Sequence, residues 1–161
     1  SVAWSDLDYL IADFPPGTGD VQLSLCQLVP LTGAVIVSTP QDVALNVARK
    51  AIIMFDKLRT PVIGVIENMS YFVCPHCGKR EDVFGTGGAR AAAAKANLPF
   101  LGDIPLATDV RTTSDAGVPI VAGHPASPLA KAFFTAARNT AAQISVRAMQ
   151  GELEPAVKGS F

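Results

Sequence analysis

The chain has 161 residues, of which 49% are hydrophobic and 17% charged, with a net charge of -1. That length and apolar fraction suit one globular domain with a real core. Near-neutral charge without a Lys/Arg cluster argues against a nucleic-acid footprint, and no apolar run approaches the roughly 18 residues that would span a membrane.

In chain order, Ser1-Val2-Ala3-Trp4 carries neither an initiator Met nor a signal pattern, and the first strong element follows at once. A piece of a longer chain is expected. "DYLIADF" (Asp8 to Phe14) is a short apolar run closed by two prolines and reads as a buried strand. Val21 to Val29 forms a modest helix ended by Pro30, and the β-branched "GAVIVST" (Gly33 to Thr39) is a second strand. Asp42 is placed to cap the next helix, in which Leu45, Ala48, Ile52 and Phe55 recur at helical spacing. "PVIGVIEN" (Pro61 to Asn68) is a third strand, Ala89 to Ala96 a helix and "FLGDIP" (Phe100 to Pro105) a fourth strand, followed by two more helical stretches. Residues 1–150 are expected to belong to one domain, and 151–161 to form a polar tail.

Strands of nearly continuous apolar residues alternating with helices indicate an α/β fold, a parallel sheet with helices on both faces. Ligands in such sheets bind beyond the carboxyl ends of the strands. The loops starting at Pro15, Pro40, Asn68 and Pro105 are therefore the places to look. In "DFPPGTGD", Asp13 would end a buried strand, where a bound cation or water network would offset the cost of an unpaired carboxylate. Gly17, Thr18 and Gly19 turn toward a helix start whose N–H groups could face a phosphate. The alternative is a tight turn with Asp20 as N-cap. Asn68 has two readings as well: an amide that satisfies its own loop backbone, or one that meets the edge of a ligand ring.

The loop "YFVCPHCGK" (Tyr71 to Lys79) holds two of the three cysteines as C-x-x-C. Pro75 inside and Gly78 behind make a knuckle that aims both sulfurs at one point. Three chemistries compete: a dithiol redox site, zinc, and an iron–sulfur cluster. The redox site wants its first Cys at a helix N-terminus, and the glycine-broken "GKREDVFGTGG" does not provide a helix. Zinc or a cluster needs four thiolates, and a two-fold axis through the loop would bring two pairs together. Cys74 and Cys77 are thus expected to form half of a site shared in a homodimer. His76 would point away from the metal. Cys26, among Leu23, Leu25 and Leu28, reads as a small buried hydrophobe. Three cysteines do not make a disulfide framework, so a reducing, cytoplasmic compartment is expected.

"DYLIADFPPGTGDVQLSL", "GAVIVSTPQDVAL", "VIGVIENMSYFVCPHCGK", "FGTGGA" and "LGDIPLATDVRTTSDAGVPI" together closely resemble the Mrp/ApbC group of P-loop ATPases, relatives of the MinD- and ParA-like nucleotide-binding proteins, from about Asp8 to about Val146. The resemblance implies an iron–sulfur cluster carrier, a homodimer that holds a [4Fe–4S] cluster on paired C-x-x-C motifs and passes it to apo-proteins. It makes Cys74 and Cys77 cluster ligands, and Asp13 a Walker B-type carboxylate acting on Mg2+ through water. Gly17 and Thr18 fall in a switch loop near the γ-phosphate, Asn68 and Pro105 lie beside the adenine, and the Gly85 to Gly88 loop is structural. The group's Walker A motif is not found in these residues, and no lysine precedes Lys50. The expectation is the C-terminal portion of a P-loop ATPase domain, with ATP hydrolysis confined to the full-length parent.

Overall fold

A computed structural model describes residues 6–15, 19–29 and 31–150. Its elements are α1 (Asp20–Leu28), β1 (Ala34–Ser38), α2 (Asp42–Lys57), β2 (Val62–Val73), β3 (Arg80–Glu81), α3 (Gly88–Lys95), β4 (Phe100–Leu106), α4 (Thr108–Asp115), α5 (Ile120–Gly123) and α6 (Pro128–Met149). β1 and β4 both run parallel to the central β2, and the short β3 adds an antiparallel pairing at the far end of β2.

The β-branched "AVIVS" and "VIGVI" runs suit the pleated, buried surfaces of β1 and β2. α2 and α3 pack against β1 and β2, while α6 packs along β4 and β2. Along α2, Leu45, Ala48 and Phe55 are buried at helical spacing, with Ile52 partly buried against the same cluster. α3 is an alanine run, and its small side chains let Ala89 and Ala93 sit fully buried against the strands. Ser127 caps α6, its Oγ accepting from the Ala130 N–H at 3.1 Å, and Pro128 takes the first helical position.

Two glycines set close approaches. A Cβ on Gly64 would stand 2.7 Å from the Pro99 carbonyl oxygen, and one on Gly88 would stand 2.6 Å from that of Pro40. The first lets β4 lie close to β2. The second seats the start of α3 against the loop that leaves β1.

Several expectations are corrected. Asp8 to Phe14 is not a buried strand: it is a mostly exposed run without regular secondary structure, Ile11 being 88% exposed, and Phe14 meets the Phe55 ring edge-on at 6.4 Å. A strand needs a partner for its N–H and C=O groups, and none pairs with this run among the described residues. Asp42 opens α2 but does not cap it. Gln41 holds the cap position, as Gly19 rather than Asp20 does in α1, and neither makes a side-chain cap bond. The third strand does not stop at Asn68 but runs on to Val73, and the fourth passes Pro105 to Leu106. Among the described residues three helices follow it, not two. The polar tail expected over 151–161 lies outside the described residues.

Candidate functional site

The carboxyl end of the sheet gathers most of the sequence-derived candidates that are described. Asn68 on β2 stands opposite Ile104, next to Pro105 on β4, so these two candidates share one place. Asn68 is half-buried and its Oδ1 accepts from the Met69 N–H at 2.9 Å, which is the backbone-satisfying reading; its amide donor group is left for another partner. Pro105 is buried within β4. Asp13 lies exposed in the unpaired run, not at the end of a buried strand. Gly17 and Thr18 lie outside the described residues.

β2 kinks as it leaves this place. Met69 adopts a left-handed backbone with φ 53°, and the register against β4 shifts between Asn68 and Phe72. Beyond the kink β2 becomes one limb of a hairpin, with Phe72 and Val73 paired to Glu81 and Arg80. The hairpin tip is the cysteine knuckle. The Cys74 N–H donates to the Lys79 carbonyl at 2.9 Å, the Gly78 N–H donates to the Cys74 carbonyl at 2.8 Å, and Gly78 supplies the left-handed φ of 69° that closes the turn. No helix begins at either cysteine, so the dipole a dithiol oxidant uses is missing.

Both sulfurs are free thiols, Cys77 exposed and Cys74 half-exposed. Hydrogen bonds to Cys74 from the backbone of Cys77 and His76, and one from the Cys77 side chain, hold its thiol below the usual range. Such donors favour thiolate, the form that binds metal. Cys26 differs: burial raises its pKa, opposed by a bond to Thr60, and it packs against the core. Alkylation by iodoacetamide is therefore expected to label Cys74 ahead of Cys26, and lowering the pH from about 8.5 should suppress the Cys26 reaction first. Site-resolved mass spectrometry reads both rates.

The donor set fits half of a tetrathiolate site. No group of three or more His, Cys, Asp or Glu side chains converges on a metal position among the described residues, so one chain offers two thiolates and the other two must come from elsewhere.

Glu67 is the residue that sequence reading missed. It is 1% exposed, and its carboxylate accepts from Ser70 Oγ at 2.5 Å, the Gly87 N–H at 3.0 Å and the Ala89 N–H at 2.7 Å. The signal was present in "VIGVIEN": a carboxylate inside an apolar strand must find partners or it would not be tolerated there. Two of those partners belong to the glycine loop and the first turn of α3, so the Gly85 to Gly88 stretch is anchored to the strand that leads into the cysteine loop.

Parallel strands β1, β2 and β4 with helices packed against them, and with candidate residues at their carboxyl end, define a protein of the α/β class. A MinD cell division ATPase from Pyrococcus furiosus shares this fold at TM-score 0.55 and 24% identity, over 69% of this chain and 43% of that one. Residues 1–141 match the family described as "ParA: NUBPL iron-transfer P-loop NTPase", and the chain belongs to that family. An "Iron-sulfur cluster carrier protein" from Deinococcus radiodurans is 57% identical over 91% of this chain and 41% of its own length. An "Iron-sulfur protein required for NADH dehydrogenase, mitochondrial" from Arabidopsis thaliana is 54% identical over 86% of this chain and 44% of its own. A nucleotide-binding protein from Archaeoglobus fulgidus, solved in complex with ADP, superposes at TM-score 0.63 with 48% identity, over 69% of this chain and 46% of that one. The chain thus spans less than half the length of these relatives. No helix among the described residues is long and apolar enough to cross a membrane.

Proposed function

We propose that this chain is the cluster-holding part of an iron–sulfur cluster carrier. Two chains would meet at the cysteine knuckle, and Cys74 and Cys77 from each would hold one [4Fe–4S] cluster as cargo for apo-proteins. The observation that carries this reading is the knuckle itself: two free, adjacent thiols at an exposed hairpin tip, with hydrogen-bond donors favouring thiolate.

Exposure suits delivery as well as binding. An incoming acceptor thiolate can displace a carrier thiolate from iron, one for one, with the released sulfur taking up a proton and no change in cluster oxidation state. An exposed Cys77 is the natural first sulfur to leave, because its position is open to an acceptor.

The nucleotide roles belong to the longer protein. Asp13 would act on Mg2+ through water, Gly17 and Thr18 would lie near the γ-phosphate, and Asn68 with Pro105 would border the adenine. The pairing that brings Asn68 beside Pro105 supports the last of these. The phosphate-cradling lysine loop would come from outside these 161 residues, and ATP hydrolysis would need it. A cytoplasmic setting, without nucleic-acid or membrane partners, belongs to the same proposal, and the near-neutral net charge is in keeping with it.

Transfer is the test. Chain reconstituted with iron and sulfide under anaerobic conditions is incubated with an apo [4Fe–4S] enzyme and a chelator too weak to strip the carrier. Recovery of acceptor activity faster than with free iron and sulfide is the expected result. Zinc held at one per two chains, with no iron uptake, would instead favour a zinc-bridged structural module at the same four thiolates.

A further inference from the structure

Both limbs of the cysteine hairpin return to one buried carboxylate. The outgoing limb leaves Glu67 through Asn68 and Met69, and Ser70 Oγ donates back to Glu67 Oε1, closing the kink before Tyr71 to Val73 rise toward Cys74. The returning limb runs from Arg80 to Gly87. Its Gly87 N–H donates to the same Oε1, and the Ala89 N–H donates to Oε2. Between these ends Arg80 ties the limbs together. Its guanidinium lies over the Tyr71 ring at 4.0 Å, its Nε meets Asp82 Oδ1 at 3.1 Å, and a terminal nitrogen donates to Thr86 Oγ1 at 3.4 Å.

We infer that Glu67 is a positioning residue for the cysteine knuckle, fixing the hairpin's angle to the sheet by anchoring both of its limbs at once. Its contact is with the limbs and not with the sulfurs. The geometry requires a carboxylate. An amide in its place offers one acceptor oxygen where two are used, and turns an N–H2 toward at least one backbone or hydroxyl donor, leaving that donor buried and unpaired. Beyond this anchor, two β2–β3 pairs join the limbs to each other and Phe72 stands opposite Leu106 of β4. The inference rests on the carrier reading for its purpose, since a site shared between two chains needs both knuckles at a set angle.

Amide hydrogen exchange of the metal-free chain tests the anchor without involving a cluster. In Glu67→Gln, exchange at the Cys74 and Gly78 amides should rise by roughly tenfold or more, as expected for loss of one or two hydrogen bonds to a buried carboxylate. Amides of β1 should keep their rates. Leu101→Ala, which weakens the core away from the hairpin, serves as the comparison and should not single out these two amides. Ser70→Ala removes one of the three donors to Glu67 while keeping the carboxylate, and should shift them in the same direction by a smaller factor. Unchanged knuckle exchange in a folded Glu67→Gln chain would reduce Glu67 to a cap for α3 and overturn the inference. If that variant does not fold, unchanged exchange in Ser70→Ala overturns it. Loosened exchange in a chain that takes no iron would remove the carrier reading and leave the anchor standing.

Discussion

Replacing either Cys74 or Cys77 with alanine is expected to abolish cluster retention, from about four irons and four sulfides per two chains to background. The effect is complete because symmetry doubles each substitution: one missing sulfur per chain leaves two thiolates where four are needed. Cys26→Ala is the contrasting variant. Its sulfur packs against the core, so iron content should be unchanged, with at most a small loss of stability from the removed packing. Iron and acid-labile sulfide assays on protein reconstituted side by side check all three. Full retention in Cys74→Ala would place the ligands elsewhere in the chain.

Leu101→Ala should produce the largest loss of stability. Leu101 is fully buried on β4, its side chain lies against Gly64 of β2, and its carbonyl accepts from Asn139 of α6 at 2.8 Å. Gly64 has no side chain that could swing into the vacated space, so the cavity would stay open. Truncation of a buried leucine costs about 2–5 kcal/mol. In a domain of this size that lowers the melting temperature by roughly 5–15 °C. Circular dichroism melts of the two proteins give the number. A shift within the error of the melt would show that the β2–β4 seam is not where this chain keeps its core.

Much of this fold was legible in its sequence because the signals were local. β-branched runs between prolines and glycines marked β1 and β2, the short "FLGDIP" run marked β4, and the alanine run marked α3. The failures share a physical cause, which is that a strand is defined by its neighbours. Asp8 to Phe14 has the composition of a buried strand, yet no partner pairs with it among the described residues and it stays exposed. β2 outran its expected end because Met69 turns the chain through a left-handed kink without ending the ladder, which no propensity anticipates. The cysteine pair was readable from spacing alone. Glu67 was not singled out, because its importance lies in three donors, two of them more than nineteen residues away in sequence.

The native mass of the anaerobically reconstituted chain, measured together with its iron and sulfide content, tests the central claim most directly. A cluster bridged by Cys74 and Cys77 from two chains predicts a species of twice the 16.8 kDa chain mass carrying about four irons and four sulfides, which falls to single chains as the cluster is removed by chelator. Iron held by a single chain, or two chains that stay together with no iron taken up, would contradict it.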